Sequence, residues 1–244
     1  MRTNRINFGI VLNEPDDGLS FGTDALMLAA YIRARKNGSA AELGAGTGAI
    51  SLLCAAKGKF THIDAYEIQE NYREYICENI RNNSLSSAVS GIISDVRILK
   101  DEKYDAVFTN PPYMKGGSFS GKGNSSDIKN AARHEENGDI YDFCAAAGRI
   151  LKFGGMFYVV YRPDRLTDLL EAMRGSGIEP KRITPVSRSY SYSPSSILVE
   201  GKKGASYSLY YTPCLYIYDK DGNETDDIKY IYENGEFSER FQKP

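Results

Sequence analysis

Two stretches of the 244-residue sequence hold side chains whose types and spacing can act on a small planar group. The first is Asn110-Pro111-Pro112-Tyr113, which follows the apolar run Tyr104-Asp105-Ala106-Val107-Phe108. Each proline fixes its own φ, Pro112 restricts Pro111 to extended geometry, and Pro111 does the same to Asn110. The carbonyls of Asn110 and Pro111 are then held in set directions. A planar aromatic amine suits such acceptors. With one N–H on the Asn110 side-chain oxygen and the other on a proline-region carbonyl, the nitrogen lone pair is freed to attack a methyl carbon in line. Tyr113 can stack on the flat ring and set its tilt. No general base is required, because the amine becomes strongly acidic once alkylated.

The second stretch is Glu42-Leu43-Gly44-Ala45-Gly46-Thr47-Gly48-Ala49, between a short apolar run and a helix-like one. Glycines let a backbone approach a ligand closely and reach positive φ. Gly44, Gly46 and Ala49 satisfy the G-x-G-x-x-G/A pattern, and Glu67, roughly 20 residues on, is placed to accept hydrogen bonds from a ribose diol. NAD and S-adenosylmethionine (SAM) fit these residues equally. Two acids shift the balance toward SAM. Glu42 would repel a pyrophosphate but can bond to an ammonium group. Asp95, after Ser94, can accept from an adenine amino group or cap a turn. A NAD-dependent dehydrogenase remains the reading from another class, without an evident hydride-transfer pair.

The elements that position these residues alternate strand and helix. Apolar runs at 40–43, 62–68, 89–93, 104–108 and 156–161 read as strands; helical spacing marks 49–57, 72–80, 140–151 and 166–173. Gly154-Gly155 is expected to stop the helix before the last of these strands, and Pro163 suits the first turn of the next helix. Near-continuous apolar strands joined by helices imply an α/β doubly wound, mainly parallel Rossmann-like sheet. Beyond Gly177, runs at 183–186, 197–200 and 207–218 are expected to finish the sheet as antiparallel edge strands. One domain is expected over 1–218, with 1–38 an N-terminal extension and entry helix. Residues 219–244 carry eight acids against four bases and read as an acidic surface extension.

Composition bounds the partners. Lys+Arg 30 against Asp+Glu 32 gives a net charge of −2, so attraction to a polyanion must come from local clusters. Cys54, Cys77, Cys144 and Cys214 form no CxxC pair, so buried reduced thiols in a reducing, cytoplasmic compartment are expected. The apolar stretch at 25–32 is far too short for a bilayer, and no signal-peptide core precedes it. A soluble protein without membrane contact is expected, with a monomer favoured. No Cys/His set has metal-ligand spacing, and the transfer needs no metal.

Taken together, these motifs resemble the NPPY class of SAM-dependent methyltransferases. More closely, they resemble the bacterial tRNA adenine-N6 methyltransferase family that modifies the purine beside the anticodon of a valine tRNA. The similarity runs over roughly 18–205. Phe21-Gly22-Thr23-Asp24-Ala25-Leu26-Met27-Leu28-Ala29 is similar to the family's entry helix. Ala132-Arg133-His134-Glu135 and the runs around Lys181-Arg182-Ile183 and Leu198-Val199-Glu200-Gly201-Lys202-Lys203 are similar to later blocks. The Asn-Pro-Pro-Tyr loop is shared with enzymes acting on DNA adenine, ribosomal RNA and protein glutamine, so the later blocks carry the tRNA assignment. The resemblance implies that Gly44, Ala45, Gly46 and Gly48 line SAM, that Glu67 binds its ribose with Ile68 beside it, and that Asp95 lies near its adenine. Asn110 would touch both cofactor and target amine. Thr23 and Asp24 would lie near the methionine end, or serve only to cap the entry helix.

Charge is uneven in a way that suits an RNA. Lys115, Lys122, Lys129 and Arg133 outnumber Asp127 after the proline pair, and Lys181, Arg182, Arg188, Lys202 and Lys203 outnumber Glu200 later. These are expected to contact phosphates on the rim of the site. Arg188-Ser189-Tyr190-Ser191-Tyr192 is suited to stacking on unpaired bases. His134 can sit over the pocket as a loop closes, or serve as a loop hydrogen-bonder; His62 is expected to be structural.

Overall fold

The computed structural model describes residues 1–16, 21–111 and 138–242. Pro112, Tyr113, Lys115, Arg133 and His134 therefore lie outside the described residues. An antiparallel hairpin of β1 (Arg2–Arg5) and β2 (Val11–Glu14) precedes α1 (Thr23–Tyr31), β3 (Ser39–Leu43), α2 (Ala49–Ala56), β4 (His62–Glu67), α3 (Arg73–Asn82), β5 (Val89–Ile93) and β6 (Tyr104–Thr109). After the undescribed segment come α4 (Ile140–Ile150), β7 (Leu151–Tyr161), α5 (Leu166–Gly175), β8 (Ile178–Ser187), β9 (Ser196–Lys203), β10 (Tyr210–Tyr211), β11 (Leu215–Tyr216) and α6 (Asp226–Asn234).

The main sheet has the order β10-β8-β9-β7-β6-β3-β4-β5, with β11 also on β8. It is the expected doubly wound α/β sheet. Its antiparallel character is confined to one strand: β9 runs against both β7 and β8, whereas β10 and β11 pair parallel to β8. Residues 207–218 thus do not form one antiparallel edge strand; they contribute two parallel two-residue pairings and, at Tyr218, an isolated antiparallel bridge to Glu224. Gly154 and Gly155 also depart from expectation. α4 ends at Ile150, β7 begins at once, and both glycines lie inside the strand beside a register shift against β6.

Each face is closed by its own core. Apolar α1 is buried along most of its length, and with α2, Ile76 and Ile80 of α3 it covers one face. The other face is covered by α4, through Phe143, Cys144, Ala147 and Ile150, and by α5, through Leu169 and Met173. Cys54 and Cys144 are buried, as their helix faces require, but Cys77 is exposed and Cys214 half-buried.

The acidic C-terminal residues are not a surface extension. Thr225 caps α6 through Ile228 N, and Ile228, Ile231, Phe237 and Phe241 join the core on the α1 face. The acids take the opposite side of the helix, the usual solution for an amphipathic segment. Arg182 fastens this segment to the sheet. It is 1% exposed, donates to Glu200 Oε2 (2.8 Å), Tyr31 O (3.1 Å) and Phe241 O (3.0 Å), and lies over the Tyr31 ring. That burial removes Arg182 from any contact with RNA phosphate. No helix among the described residues is long and apolar enough to cross a membrane.

Candidate active site

The chain builds outward from β3 through β4 to β5, then returns to β6 on the other side of β3. The strand order therefore reverses between β3 and β6, and the carboxyl ends at such a reversal form the usual ligand crevice of these sheets. The register aligns four strand ends there. Leu43 pairs with both Tyr66 and Thr109, and Glu67 with Ile93. The glycine turn and Asn110 thus leave neighbouring strands at the same height, and Thr109 Oγ1 donates to Leu43 O at 2.7 Å to hold them together.

Gly44, Gly46 and Gly48 have φ of 72°, 54° and 83°, a left-handed geometry that strains any side chain. A Cβ on Gly46 would meet nothing within 4 Å, whereas one on Gly44 would come within 3.2 Å of the Phe143 ring. Gly44 is therefore also a packing requirement, and Gly46 borders open space beside the turn. Glu67 Oε2 accepts from Gly46 N (2.8 Å) and Oε1 from Gln69 N (2.9 Å), so the carboxylate is fixed against the turn with lone pairs to spare. Ala45 N donates to Tyr66 O (2.9 Å), and Ile68 follows, half-buried.

Glu42 is buried at 1% exposure, and its Oε2 accepts from Ser51 N (3.0 Å) and Ser51 Oγ. Burial pushes its carboxyl up to about 8; the Ser51 hydrogen bonds oppose that shift, and the Glu67 charge adds to it. A carboxylic acid in this state is a latent anion, ready to ionise when a cation arrives. Asn110 supplies the complementary feature. Its side-chain Oδ1 is buried and has no hydrogen-bond partner among the described residues. A buried acceptor left unmade is costly, so it marks a place where a donor belongs. Pro111, also buried, follows it.

The other sites expected from sequence fall differently. Asp95 caps the short turn Val96–Ile98 through Arg97 N, and both its oxygens take the Arg97 guanidinium, which holds the carboxyl below its usual range. Any adenine amino group there would compete with that guanidinium. Gly22, not Thr23 or Asp24, is the N-cap of α1. Thr23 is exposed, and Asp24 accepts from Ser196 Oγ (2.9 Å), joining the entry helix to β9. Lys181 donates to Ser206 O at the sheet edge. Lys202 and Lys203, level with Met156 and Ile178, lie at the opposite end of the sheet from Asn110. Of this later basic cluster, Arg188, just past Ser187 at the carboxyl end of β8, is on the crevice side.

Two supporting residues carry no motif in the sequence. Ser51 holds Glu42, and Asn79, fully buried, donates to Thr47 O (3.0 Å) and Asn13 O (3.0 Å) while accepting from Asn13 N (2.7 Å). Asn79 thereby ties the glycine turn to the N-terminal hairpin. An asparagine at apolar helical spacing is the one available signal, since a buried amide needs partners. His62, with Nε2 3.0 Å from Ser90 Oγ, belongs to strand-to-strand packing.

Comparison with known proteins gives this geometry a family. A protein from Dyadobacter fermentans named tRNA1(Val) (adenine(37)-N6)-methyltransferase is 27% identical over 202 residues, covering 82% of each chain. A protein of the same name from Aliivibrio fischeri is 25% identical over 87% of this chain and 88% of its own. Among solved structures, a predicted O-methyltransferase from Agrobacterium tumefaciens superposes with a TM-score of 0.72 at 22% identity, over 88% of this chain and 98% of that one. The TYW2 protein of M. jannaschii, solved in complex with AdoMet, gives 0.55 at 17% identity over 80% and 82%. Residues 16–175, which contain the glycine turn, Glu67 and the Asn110 loop, match the methyltransferase small domain, and the chain belongs to that family.

Proposed function

We propose that this methyltransferase uses SAM to methylate the exocyclic N6 amine of an adenine in tRNA, at the base beside the anticodon of a valine tRNA. The observation that carries the reading is the buried Oδ1 of Asn110, without a partner among the described residues, at the end of β6 next to the glycine turn. The relatives from Dyadobacter and Aliivibrio, both named for that reaction, support the substrate.

The residues present fit the donor. Gly44, Ala45, Gly46 and Gly48 would border it, Glu67 would take its ribose hydroxyls, and Glu42 would face its cationic amino acid end. When bound, SAM supplies an electrophilic methyl carbon on a sulfonium. Asn110 Oδ1 accepts one amine hydrogen and the Pro111 region the other, which orients the nitrogen lone pair and leaves the proton to depart after transfer. Pro112 and Tyr113 complete this loop in the proposal, Tyr113 as a stacking surface. A tRNA substrate implies a cytoplasmic enzyme.

The test is transfer of labelled methyl from SAM to total tRNA, unmodified valine tRNA transcript, DNA and protein, followed by mass spectrometry of the tRNA nucleosides. N6-methyladenosine in the valine tRNA is the expected product. Label in protein glutamine with none in tRNA overturns the assignment.

A further inference from the structure

The turn between β8 and β9 exposes large aromatic side chains on a tightly held backbone. Tyr190 and Tyr192 are 66% and 59% exposed. The backbone beneath them is fixed from inside by Ser187, which is fully buried and whose Oγ lies 2.8 Å from Tyr192 O and 3.0 Å from Ser189 O. Tyr192 N closes a turn on Ser189 O (3.1 Å), and Tyr218 N donates to Arg188 O (2.8 Å) from the flank. The rings are ordered too. Tyr190 lies against Tyr216 with centroids 4.0 Å apart and planes tilted by 33°, and the Arg188 guanidinium sits 5.8 Å from the Tyr192 centroid.

A cluster of exposed aromatics loses the stabilisation that burial would give, and clustering distinguishes it from singly scattered surface residues. Order without burial suits recognition of flat, partly apolar groups, because little conformational freedom remains to be lost on contact. Arg188 adds one cation. Of the neighbouring acids, Asp219 is turned into its own loop, where it accepts from Asp221 N and Asn223 N.

The register gives the location. Thr109, Val159, Val199 and Ile183 are level across the sheet, and Ser187 lies four residues beyond Ile183 in the same direction as Asn110. Three strand spacings across and four residues along put the turn about 20 Å from Asn110, on the crevice side. Ser196 Oγ, bonded to Asp24, anchors the far end of the turn to the entry helix.

We propose that the 188–192 turn, with Tyr190 and Tyr192 as its contacts, is a stacking platform for unpaired bases flanking the target base. The inference rests on the RNA reading above and adds where the RNA is gripped. Stacking is tolerant of base identity and needs little net charge, which suits a chain of net charge −2.

The test uses the full-length protein with Tyr190 and Tyr192 both changed to Ala and, separately, both to Phe. The RNA probes are a valine anticodon stem-loop and a fully paired duplex of the same length. The Ala pair should raise KM and Kd for the stem-loop by about 10-fold or more, given the strength of base–aromatic stacking. kcat at saturating RNA, SAM affinity and duplex binding should stay at wild-type values, and the Phe pair should restore stem-loop binding. Unchanged stem-loop KM and Kd in the Ala pair, with adenine still methylated, overturns the platform and leaves the proposed function intact. Stem-loop binding that depends on the two tyrosines, in a wild-type protein that methylates no RNA, keeps the platform and overturns the function. Methylation of a protein whose KM the Ala pair raises overturns both.

Discussion

The substitution Glu42→Gln separates a buried neutral acid from a fixed anion. In the folded protein burial lifts this carboxyl from 4.5 to about 8. Between those values the unfolded chain has released a proton that the fold retains, so the group's contribution is fully present below pH 4.5 and declines as pH rises to about 8. Each unit is worth about 1.4 kcal/mol, so at pH 7 the deficit is at most roughly 3.5 kcal/mol. The amide of the variant keeps the shape and an oxygen for Ser51 but has no proton to lose. Urea denaturation followed by circular dichroism should therefore show E42Q close to wild type at about pH 5 and progressively more stable than it at about pH 7 and 8. Binding should run the other way. A cationic donor favours the ionised carboxylate, so wild-type affinity for SAM should rise from about pH 6 to 8 with release of a proton, measurable by calorimetry in buffers of different ionisation enthalpy. E42Q should bind SAM more weakly and without that slope. Parallel stability curves for the two proteins over this whole pH range would refute the buried-acid argument.

Asn110→Ala should lower turnover by about 100-fold or more while SAM affinity stays near wild type, as single-turnover and equilibrium titrations would show; full activity would remove Asn110 from the mechanism. Arg182→Ala leaves the buried Glu200 paired to the exposed Arg33 (3.3 Å), strips the donors from Tyr31 O and Phe241 O, and should cost about 3 kcal/mol in urea denaturation, whereas Lys181→Ala should cost less than about 0.5 kcal/mol. Asn79→Ala strips bonds from Thr47 O and from both backbone groups of Asn13. It should cost about 1–3 kcal/mol in stability and weaken SAM binding more than it lowers turnover at saturation.

Periodicity carries most of the sheet, because strands buried on both faces and one-sided helices leave distinct patterns; the 89–93 strand has the same bounds in the structure. The glycine turn, Glu67 and Asn110 are legible as motifs, and the structure aligns them at one end of the sheet. The misplaced charges share a cause: charge and polarity in the sequence do not reveal which end or side of the sheet a residue occupies. Lys202 and Lys203 read as rim residues, but β9 runs antiparallel and carries them to the far end. Arg182 reads as a phosphate ligand, yet Glu200 on the next strand supplies its counter-charge inside the core. The C-terminal acids mask Ile228, Ile231, Phe237 and Phe241, whose spacing is apolar enough to announce a packed segment.

The position of β9 also shapes how the molecule is born. It is among the last strands synthesised, yet it occupies the interior of the sheet, wedged between β7 and β8. Until the ribosome has passed Lys203, β7 exposes a long apolar margin of unpaired backbone, an adhesive edge for other nascent chains. The β3–β6 pairing that carries the glycine turn and Asn110 needs none of that later chain, so the exposed margin lies on the half of the sheet away from it.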